Sequence, residues 1–348
     1  MSESYAIRRA TPEGNVFAAI ALIGTLVLVA APWWAGRADL RLFGELFLYI
    51  ALASLWNLLA GYSGLVSVGQ QLYVGLGGYA LFACAILWGI NPLLAIPLAG
   101  VLGAMVALPV SWLLFRLHGA HFAIGTWVAA EVFLLGVSQI PLLGGGSGQS
   151  LPAALVAGIA SNRDTREALV YWLAAGLMFG TLAVVIALLR SRVGLALTSI
   201  RDSEIASESL GIDIGRTKSM LYAATAAATS MIGALIFLQK LRISPQAAFS
   251  VNDWTAFVIF MVVIGGIGTI EGPIIGAIVF FVLRELLADY GTIYLFVLGL
   301  SAIIIMLRAP KGLWGTVAER YNLALIPIRR KVVEVAQTSK TISGSIVP

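Results

Sequence analysis

The sequence predicts an all-α protein, a polytopic membrane helical bundle of about ten transmembrane helices with Gly-rich broken or re-entrant elements. Of its 348 residues, 59% are hydrophobic and only 11% are charged, whereas soluble domains carry roughly 25% charged residues. Its apolar segments are close to the roughly 20 residues that cross a bilayer as a helix. These observations exclude an ordinary soluble globular protein, and the chain is long enough for ten spans and their loops.

The chain has three regions: an N-terminal segment 1–15, a membrane domain 16–308 that contains all ten apolar segments, and a polar, basic tail 309–348. The end of the tail, 338–348, has the composition of a disordered segment. The first apolar run resembles a signal peptide, but it is long enough to span and no small-residue cleavage site follows it. The segments are roughly 16–36, 42–60, 72–90, 92–115, 120–142, 168–189, 218–238, 254–270, 272–288 and 292–308.

The distribution of Lys and Arg predicts the orientation of the bundle. With ten spans both termini lie on one side of the membrane, and that side carries fifteen Lys and Arg residues against six on the other. Excess positive charge in short loops marks the cytoplasmic side, so both termini are predicted to be cytoplasmic. The net charge of +5 is scattered between apolar runs, which does not suggest nucleic-acid binding. The single Cys84 excludes an internal disulfide framework.

Two Gly-rich stretches interrupt the apolar sequence, Gly61-Tyr-Ser-Gly-Leu-Val-Ser-Val-Gly69 and Gly265-Gly-Ile-Gly-Thr-Ile-Glu-Gly-Pro273. Glycine permits sharp turns, so one interpretation is a pair of broken or re-entrant elements beside a translocation path. The other is that small residues mark places where helices cross, and the sequence leaves both open. The candidate path glycines are Gly61, Gly64, Gly69, Gly265, Gly266 and Gly268.

The connection 190–217 contains charges of both signs interleaved with apolar residues. Its apolar residues are too few for a span yet regular enough for one or two short amphipathic helices. Asp202-Ser-Glu204 favours a helix start and Gly211 a helix end. Such a helix suits docking into a groove of a partner protein. A solvated connector or a helix lying on lipid is the alternative that composition leaves open.

Charged residues inside the predicted spans form a further group of candidates, because charge in the membrane is costly. Glu131 lies near the middle of the fifth segment. It is interpreted either as a path or packing carboxylate facing the bundle or as a protonated or helix-bonded structural residue. Arg284 and Glu285 lie toward the outer end of the ninth segment, where they can snorkel or pair with other helices. A secondary transporter would use Glu131 or Glu285 for proton coupling.

Signatures of an enzyme are missing from the sequence. No Gly-Lys pair occurs anywhere, so the chain has no G-x-x-x-x-G-K-[ST] phosphate loop, and ATP that drives it must bind to another protein. His118 and His121 stand apart from any cluster of metal-ligand type, and no G-x-S-x-G serine elbow is present. We therefore expect a transporter subunit that is not an enzyme and has no cofactor of its own.

Several stretches, in the same order, resemble the M-type membrane subunit of the branched-chain amino acid ABC permeases. Each motif alone is moderately specific, and their order makes the resemblance strong over about residues 42–315. The resembling stretches are Gly61–Gly69, Phe122-Ala-Ile-Gly-Thr126 through Glu131, the Gly144-Gly-Gly-Ser-Gly148 loop, the coupling-loop-like Ser199-Ile-Arg-Asp-Ser-Glu-Ile-Ala-Ser-Glu-Ser-Leu-Gly-Ile212, Val262–Pro273 and Pro310-Lys-Gly-Leu-Trp-Gly315.

The resemblance implies a permease subunit of an ATP-driven importer for branched-chain or other apolar amino acids, multi-pass in the bacterial inner (cytoplasmic) membrane. It implies as partners a homologous second permease subunit, an external solute-binding protein and two ABC ATPase subunits, which bind ATP and Mg. The cytoplasmic loop would couple the chain to these ATPases. The residues that the resemblance assigns to this coupling are Arg201, Asp202, Glu204, Ile205, Glu208, Leu210 and Gly211.

Three departures from the family pattern concern the substrate. Gln70-Gln71 stand where the family often has Gly-His, and Gly148-Gln149 lack the acidic residue that commonly follows the serine. Glu208-Ser-Leu-Gly211 only loosely follows the Glu-Ala-Ala signature of ABC importers. The substrate class therefore stays open between apolar amino acids and the urea or short amides that other permeases of the family carry.

Overall fold

The structure, a computed structural model, describes residues 5–8, 23–160, 162–287, 293–321 and 331–334. The predicted fold class, an all-α polytopic bundle, is confirmed: within these ranges eight helices are long and apolar enough to cross a membrane. The helices are α1 Arg37–Asn57, α2 Gln70–Trp88, α3 Pro92–Leu114, α4 Ala120–Ser138, α5 Ala153–Ala157, α6 Arg163–Arg190, α7 Arg192–Asp202, α8 Glu204–Ser209, α9 Ile214–Lys240, α10 Pro245–Ala248, α11 Phe257–Gly265, α12 Glu271–Leu286, α13 Ile293–Arg308 and α14 Gly312–Arg320.

Two of the ten predicted segments, the first and the ninth, are not among these eight candidate spans of the described residues. In the first, residues 23–29 are helical and 16–22 lie outside the described residues. The ninth forms α12, whose 16 residues extend about 24 Å at 1.5 Å per residue, less than the roughly 30 Å of a bilayer core. Glycine residues make the ends of the third segment hard to place from the sequence. In the structure this segment forms the continuous 19-residue helix α2.

The centre of the bundle consists of α1, α2 and α9. In each, 72–78% of the most apolar stretch is buried, compared with 17% in the peripheral helix α4. Glycines set the closeness of this packing: a Cβ at Gly77 would lie 1.9 Å from the Ser230 carbonyl oxygen, and one at Gly233 would lie 2.2 Å from that of Val74. Small residues that let backbones approach are typical of membrane helix crossings.

Both predicted Gly-rich breaks are confirmed. α1 continues into a π-helical turn, Leu58–Tyr62, and Gly64 then takes a φ of +74°, which takes the chain out of the helix. The second break follows α11, where Gly266 has a φ of +132°, so the chain reverses and α12 packs back against α11. Non-helical backbone of this kind needs hydrogen-bond partners inside the protein.

The strands of the described chain are short and form two antiparallel pairs. β1 Tyr5–Arg8 pairs with β4 Lys331–Glu334, which brings segments near the two termini together. β2 Gln149–Ser150 pairs with β3 Arg242–Ile243 at the end of α9 that lies far from α7 and α8. The proposed tail end, 338–348, lies outside the described residues.

Replacing Gly265 with alanine tests the contact between α11 and α12. The added Cβ would lie 1.8 Å from the Gly272 carbonyl oxygen, a backbone atom that cannot move without separating the helices. We expect Gly265→Ala to lower the free energy of unfolding by about 1–3 kcal/mol, the usual effect of overpacking. Thermal or denaturant unfolding of the purified protein in detergent measures it.

Gly136→Ala is the matched control, because a Cβ at Gly136 meets no atom within 4 Å. We expect this variant to unfold like the unmodified protein. Equal stability of the two variants would contradict the packing described for α11 and α12.

Candidate functional site

A buried asparagine joins the two Gly-rich breaks. Asn57, on the last turn of α1, is 2% exposed. Its Nδ2 donates to the Thr269 carbonyl oxygen at 2.7 Å, and its Oδ1 accepts from the Gly268 backbone N–H at 2.8 Å. A Cβ at Gly61 would lie 2.5 Å from Asn57 Oδ1 and 2.7 Å from the Gly268 nitrogen. The glycine therefore lets the second break approach the first closely enough for these bonds.

An arginine of the 190–217 loop contacts the same place. Arg201 Nη1 donates to the Gly61 carbonyl oxygen at 2.9 Å, while its Nε and Nη2 donate to Asp202 at 3.0 and 2.9 Å. A Cβ at Gly64 would lie 3.5 Å from Arg201 Cγ. The structure thus brings together Arg201, predicted for coupling, and Gly61, Gly64 and Gly268, predicted for the path.

The 190–217 loop folds into two short helices, one of the arrangements expected from its sequence. The other arrangement that the sequence left open, one helix carrying both Arg201 and Leu210, is wrong, because Ser203 ends α7 and begins α8. The Ser203 hydroxyl accepts from the Ala206 backbone N–H at 3.2 Å and caps α8. Gly211, with a φ of +82°, ends the second helix as predicted.

The two short helices are firmly attached to the bundle and to each other. Leu197 and Ile200 of α7 are 0% and 2% exposed. The Ser199 and Ser207 hydroxyls are 2.7 Å apart and hydrogen-bonded, which joins α7 to α8. A displacement of α8 would therefore be transmitted to α7 and to the residues packed beneath it.

The outer surface of α8 exposes apolar side chains beside charged ones. Ile205 and Leu210 are 82% and 77% exposed, and Glu208 is also exposed. Glu204 forms an ion pair of 2.6 Å with Lys218 of α9. Ile205 of α8 and Leu210, directly after it, are anchors of the type that dock into an apolar groove, and Leu195 of α7 is 72% exposed as well.

The other candidate glycines lie at backbone contacts. A Cβ at Gly69 would lie 2.3 Å from the Thr126 carbonyl oxygen of α4, and one at Gly266 would lie 2.9 Å from that of Lys311. Gly265 lies against Gly272, as described above. Close packing accounts for these glycines, and their role beside a translocation path stays a prediction.

Glu131 lies in the middle of α4 and is not among the fully buried residues. Its neighbour Ala130 is buried, whereas Val128 and Val132 are exposed. Glu131 is half-buried and accepts a hydrogen bond of 3.2 Å from Trp127 Nε1 on its own helix. This bond to its own helix fits the helix-bonded structural interpretation, and a role of Glu131 beside a translocation path stays a prediction.

Of the alternatives predicted for the charges of the ninth segment, Arg284 follows pairing with another helix. Arg284 forms a two-pronged ion pair with Glu45 of α1, with both nitrogen–oxygen distances at 3.0 Å. Glu285 is exposed. Across the described ranges, no group of three or more His, Cys, Asp and Glu side chains could hold a metal ion.

Sequence reasoning missed Asn57 and the Ser199–Ser207 pair. An asparagine inside the apolar run 42–60 was a usable signal, because polar residues in a membrane segment usually have a partner within the protein. The two serines gave no such signal, since serines are common on the surface of short amphipathic helices.

The eight candidate spans, with two glycine-rich breaks to which the 190–217 loop is bonded, define a class, the multi-pass α-helical membrane proteins. Residues 40–307 match the family described as the branched-chain amino acid transport system, permease component. The match covers well over half of the chain. This chain belongs to that family.

Individual relatives agree with the family match. The chain is 28% identical to the high-affinity branched-chain amino acid transport system permease protein LivM of Salmonella typhimurium, over 83% of this chain and 72% of that protein. It is 28% identical to LivM of Escherichia coli, over 84% and 74%. It is 25% identical to a probable LivM of Methanocaldococcus jannaschii, over 83% and 92%. No solved structure matches the chain.

Replacing Asn57 with alanine tests the connection between the two breaks. The variant leaves the Gly268 N–H and the Thr269 carbonyl without their partner. We expect the free energy of unfolding to fall by about 1–3 kcal/mol in total, because both groups are half-buried. Chemical or thermal unfolding in detergent measures the loss.

Asn162→Ala is the control, because Asn162 is exposed and its side chain does not cap α6. We expect its stability to stay within about 0.5 kcal/mol of the unmodified protein. If Asn57→Ala is equally harmless, the side chain does not hold the breaks together.

Proposed function

We propose that this chain is the membrane-spanning permease subunit of an ATP-driven importer for branched-chain or other apolar amino acids. The contact of Arg201 with the Gly61 carbonyl carries the proposal, because it joins the loop that would receive a partner's motion to the interrupted helices. Family membership and the names of the relatives support the substrate class.

The partners follow from what this chain contains. It has no phosphate loop, so two separate ABC ATPase subunits bind ATP and Mg and supply the energy. A homologous second permease subunit completes the membrane part, and an external solute-binding protein delivers the solute. The assembly lies in the bacterial inner (cytoplasmic) membrane, with both termini and the 190–217 loop on the cytoplasmic side, in agreement with the charge bias.

Closure of the ATPases displaces α8, which carries the exposed Ile205 and Leu210. The Ser199–Ser207 bond passes this displacement to α7. Arg201 then moves the π-helical turn at Gly61, and Asn57 moves the second break with it. The bundle thereby changes between outward and inward access.

An ion-coupled secondary transporter is less well supported by the described residues. Such a carrier would use Glu131 or Glu285, and neither of these lies inside the packed bundle of this chain. A secondary transporter also has no evident need for exposed apolar residues such as Ile205 and Leu210 on a loop. Uptake that requires ATP and persists with a proton uncoupler would separate the two functions.

Leu210→Asp tests the docking of the ATPase. Leu210 is 77% exposed, so the substitution should not disturb this chain but would place a charge in the partner's apolar groove, at a cost of several kcal/mol. We expect the ATPase no longer to co-purify with the permease, and solute-stimulated ATP hydrolysis to be lost.

Leu142→Asp is the matched control, since Leu142 is 70% exposed in the connection after α4, away from α7 and α8. We expect this variant to retain the ATPase. Normal co-purification and hydrolysis in Leu210→Asp would place the docking surface elsewhere.

Arg201→Gln tests transmission rather than docking. It removes a charge-assisted hydrogen bond to the Gly61 carbonyl, an interaction of about 1.5–3 kcal/mol. We expect the ATPase to stay bound while uptake per ATP hydrolysed falls about tenfold or more, since 1.4 kcal/mol corresponds to a factor of ten. Vesicle uptake and ATP hydrolysis, measured in parallel, give the ratio.

Arg192→Gln, at the exposed start of the same helix, is the control and should keep the ratio of the unmodified protein. An unchanged ratio in Arg201→Gln would show that the Gly61 contact does not transmit the motion.

A further inference from the structure

A cavity of about 380 Å³ opens at the end of the bundle opposite α7 and α8. α1 and α9 form two of its walls, and Trp254, in the π-helical turn before α11, contributes to a third. The volume falls within the roughly 300–1,000 Å³ of small-molecule sites. Its lining combines side chains of both charges with buried aromatic and aliphatic ones, which is unusual in a membrane bundle.

The cavity contains a carboxylate that can accept more hydrogen bonds. Glu45 receives one bond on each oxygen from Arg284, and each carboxylate oxygen has a second lone pair. The Glu45 side chain is 39% exposed, so these lone pairs are accessible. Arg284 fixes the position of the carboxylate, and its own guanidinium lies 4.3 Å from the Phe281 ring centroid.

The cavity is also lined by Lys240, which forms no ion pair with the described side chains. Lys240 Nζ lies 4.8 Å from the Trp254 ring centroid and 5.7 Å from that of Phe237. Arg41, at the same cavity, differs because it is paired with Glu167. Lys240 therefore holds a positive charge that is positioned by aromatic rings and is available to an anion.

The apolar wall of the cavity is rigid. Tyr49 and Trp254 are 3% and 2% exposed and stack with a centroid distance of 5.8 Å. Leu48 and Ile236, beside them, are 1% and 5% exposed. These enclosed side chains hold the walls in place, and Leu241, which is half-buried, is the apolar lining residue that an aliphatic side chain can contact.

We infer that this cavity binds a zwitterionic α-amino acid with an apolar side chain. Lys240 binds the α-carboxylate, Glu45 binds the α-ammonium group, and the side chain packs against Leu241, a half-buried residue of the cavity lining. The inference rests on the proposed function and assigns a solute site within this chain. It also separates the open substrate classes, because urea and short amides lack the two charges that Glu45 and Lys240 match.

The test uses the complete complex, with its second permease and ATPases, in lipid nanodiscs without the solute-binding protein. Equilibrium binding is measured for leucine, for leucinamide, which lacks the carboxylate, and for 4-methylpentanoate, which lacks the ammonium group. We expect the unmodified complex to bind leucine at least tenfold more tightly than either analogue.

Each variant should abolish one preference and keep the other. Lys240→Gln should bind leucine and leucinamide alike while still preferring leucine over 4-methylpentanoate. Glu45→Gln should show the opposite pattern. Lys240→Arg, which keeps the charge, should restore the preference over leucinamide.

Arg37→Gln is the control, because Arg37 lies near the same end of α1, is 59% exposed and pairs with Asp164, outside the cavity. It should keep both preferences. Since Glu45→Gln also removes the partner of Arg284, the Lys240 variants carry the test if the Glu45 variant does not assemble.

Unchanged preferences in Lys240→Gln, or no leucine binding by the unmodified complex, would overturn the inference. If the complex with its solute-binding protein still takes up leucine in that case, the proposed function stands and only the site is wrong. If it takes up no apolar amino acid, the proposed function and the site fall together.

Discussion

Hydrogen bonding by the Asn57 side chain is the constraint on which the rest of the candidate site depends. Two helices are interrupted beside each other, and the backbone groups released from the helices need hydrogen-bond partners inside the protein. Asn57 supplies both a donor and an acceptor to the second break. Gly61 leaves room for this approach, and its carbonyl remains available for Arg201. A side chain without both groups could not join the breaks in this way.

Two helices connect the ends of the molecule. α1 carries Glu45 and Tyr49 in the cavity at one end and Asn57 at the other. α9 carries Lys240 in the cavity and, at its opposite end, Lys218, which pairs with Glu204 of α8. Glycine contacts hold the centre of the bundle at a fixed distance. A displacement of the short helices and the occupation of the cavity therefore act on the same two rigid elements, which gives the proposed coupling a physical route.

The charges within the spans show how the bundle lowers their cost. Arg284, in the last turn of α12, and Glu45 of α1 neutralise each other and remain partly exposed. Glu131 is different, because it lies in the middle of α4, where only 17% of the most apolar stretch is buried, and accepts a hydrogen bond from Trp127 of the same helix. The sequence correctly placed Glu131 in the middle of a span. The side of the helix on which it lies became known only from the structure, in which Ala130 and Thr126 are the buried residues of α4 nearby.

The sequence by itself determined the features that depend on neighbouring residues: the apolar runs, the two Gly-rich stretches that interrupt them, and the helix end at Gly211. Run length and glycine content act locally, so no knowledge of the fold is needed to place them. Only the tertiary structure decided which distant groups meet. Arg201 contacts Gly61 across 140 positions and Asn57 contacts Gly268 across 211. An apolar helix surface in a membrane carries little pattern that distinguishes a protein-facing side from a lipid-facing one, so the shape and closeness of the helices select these pairs.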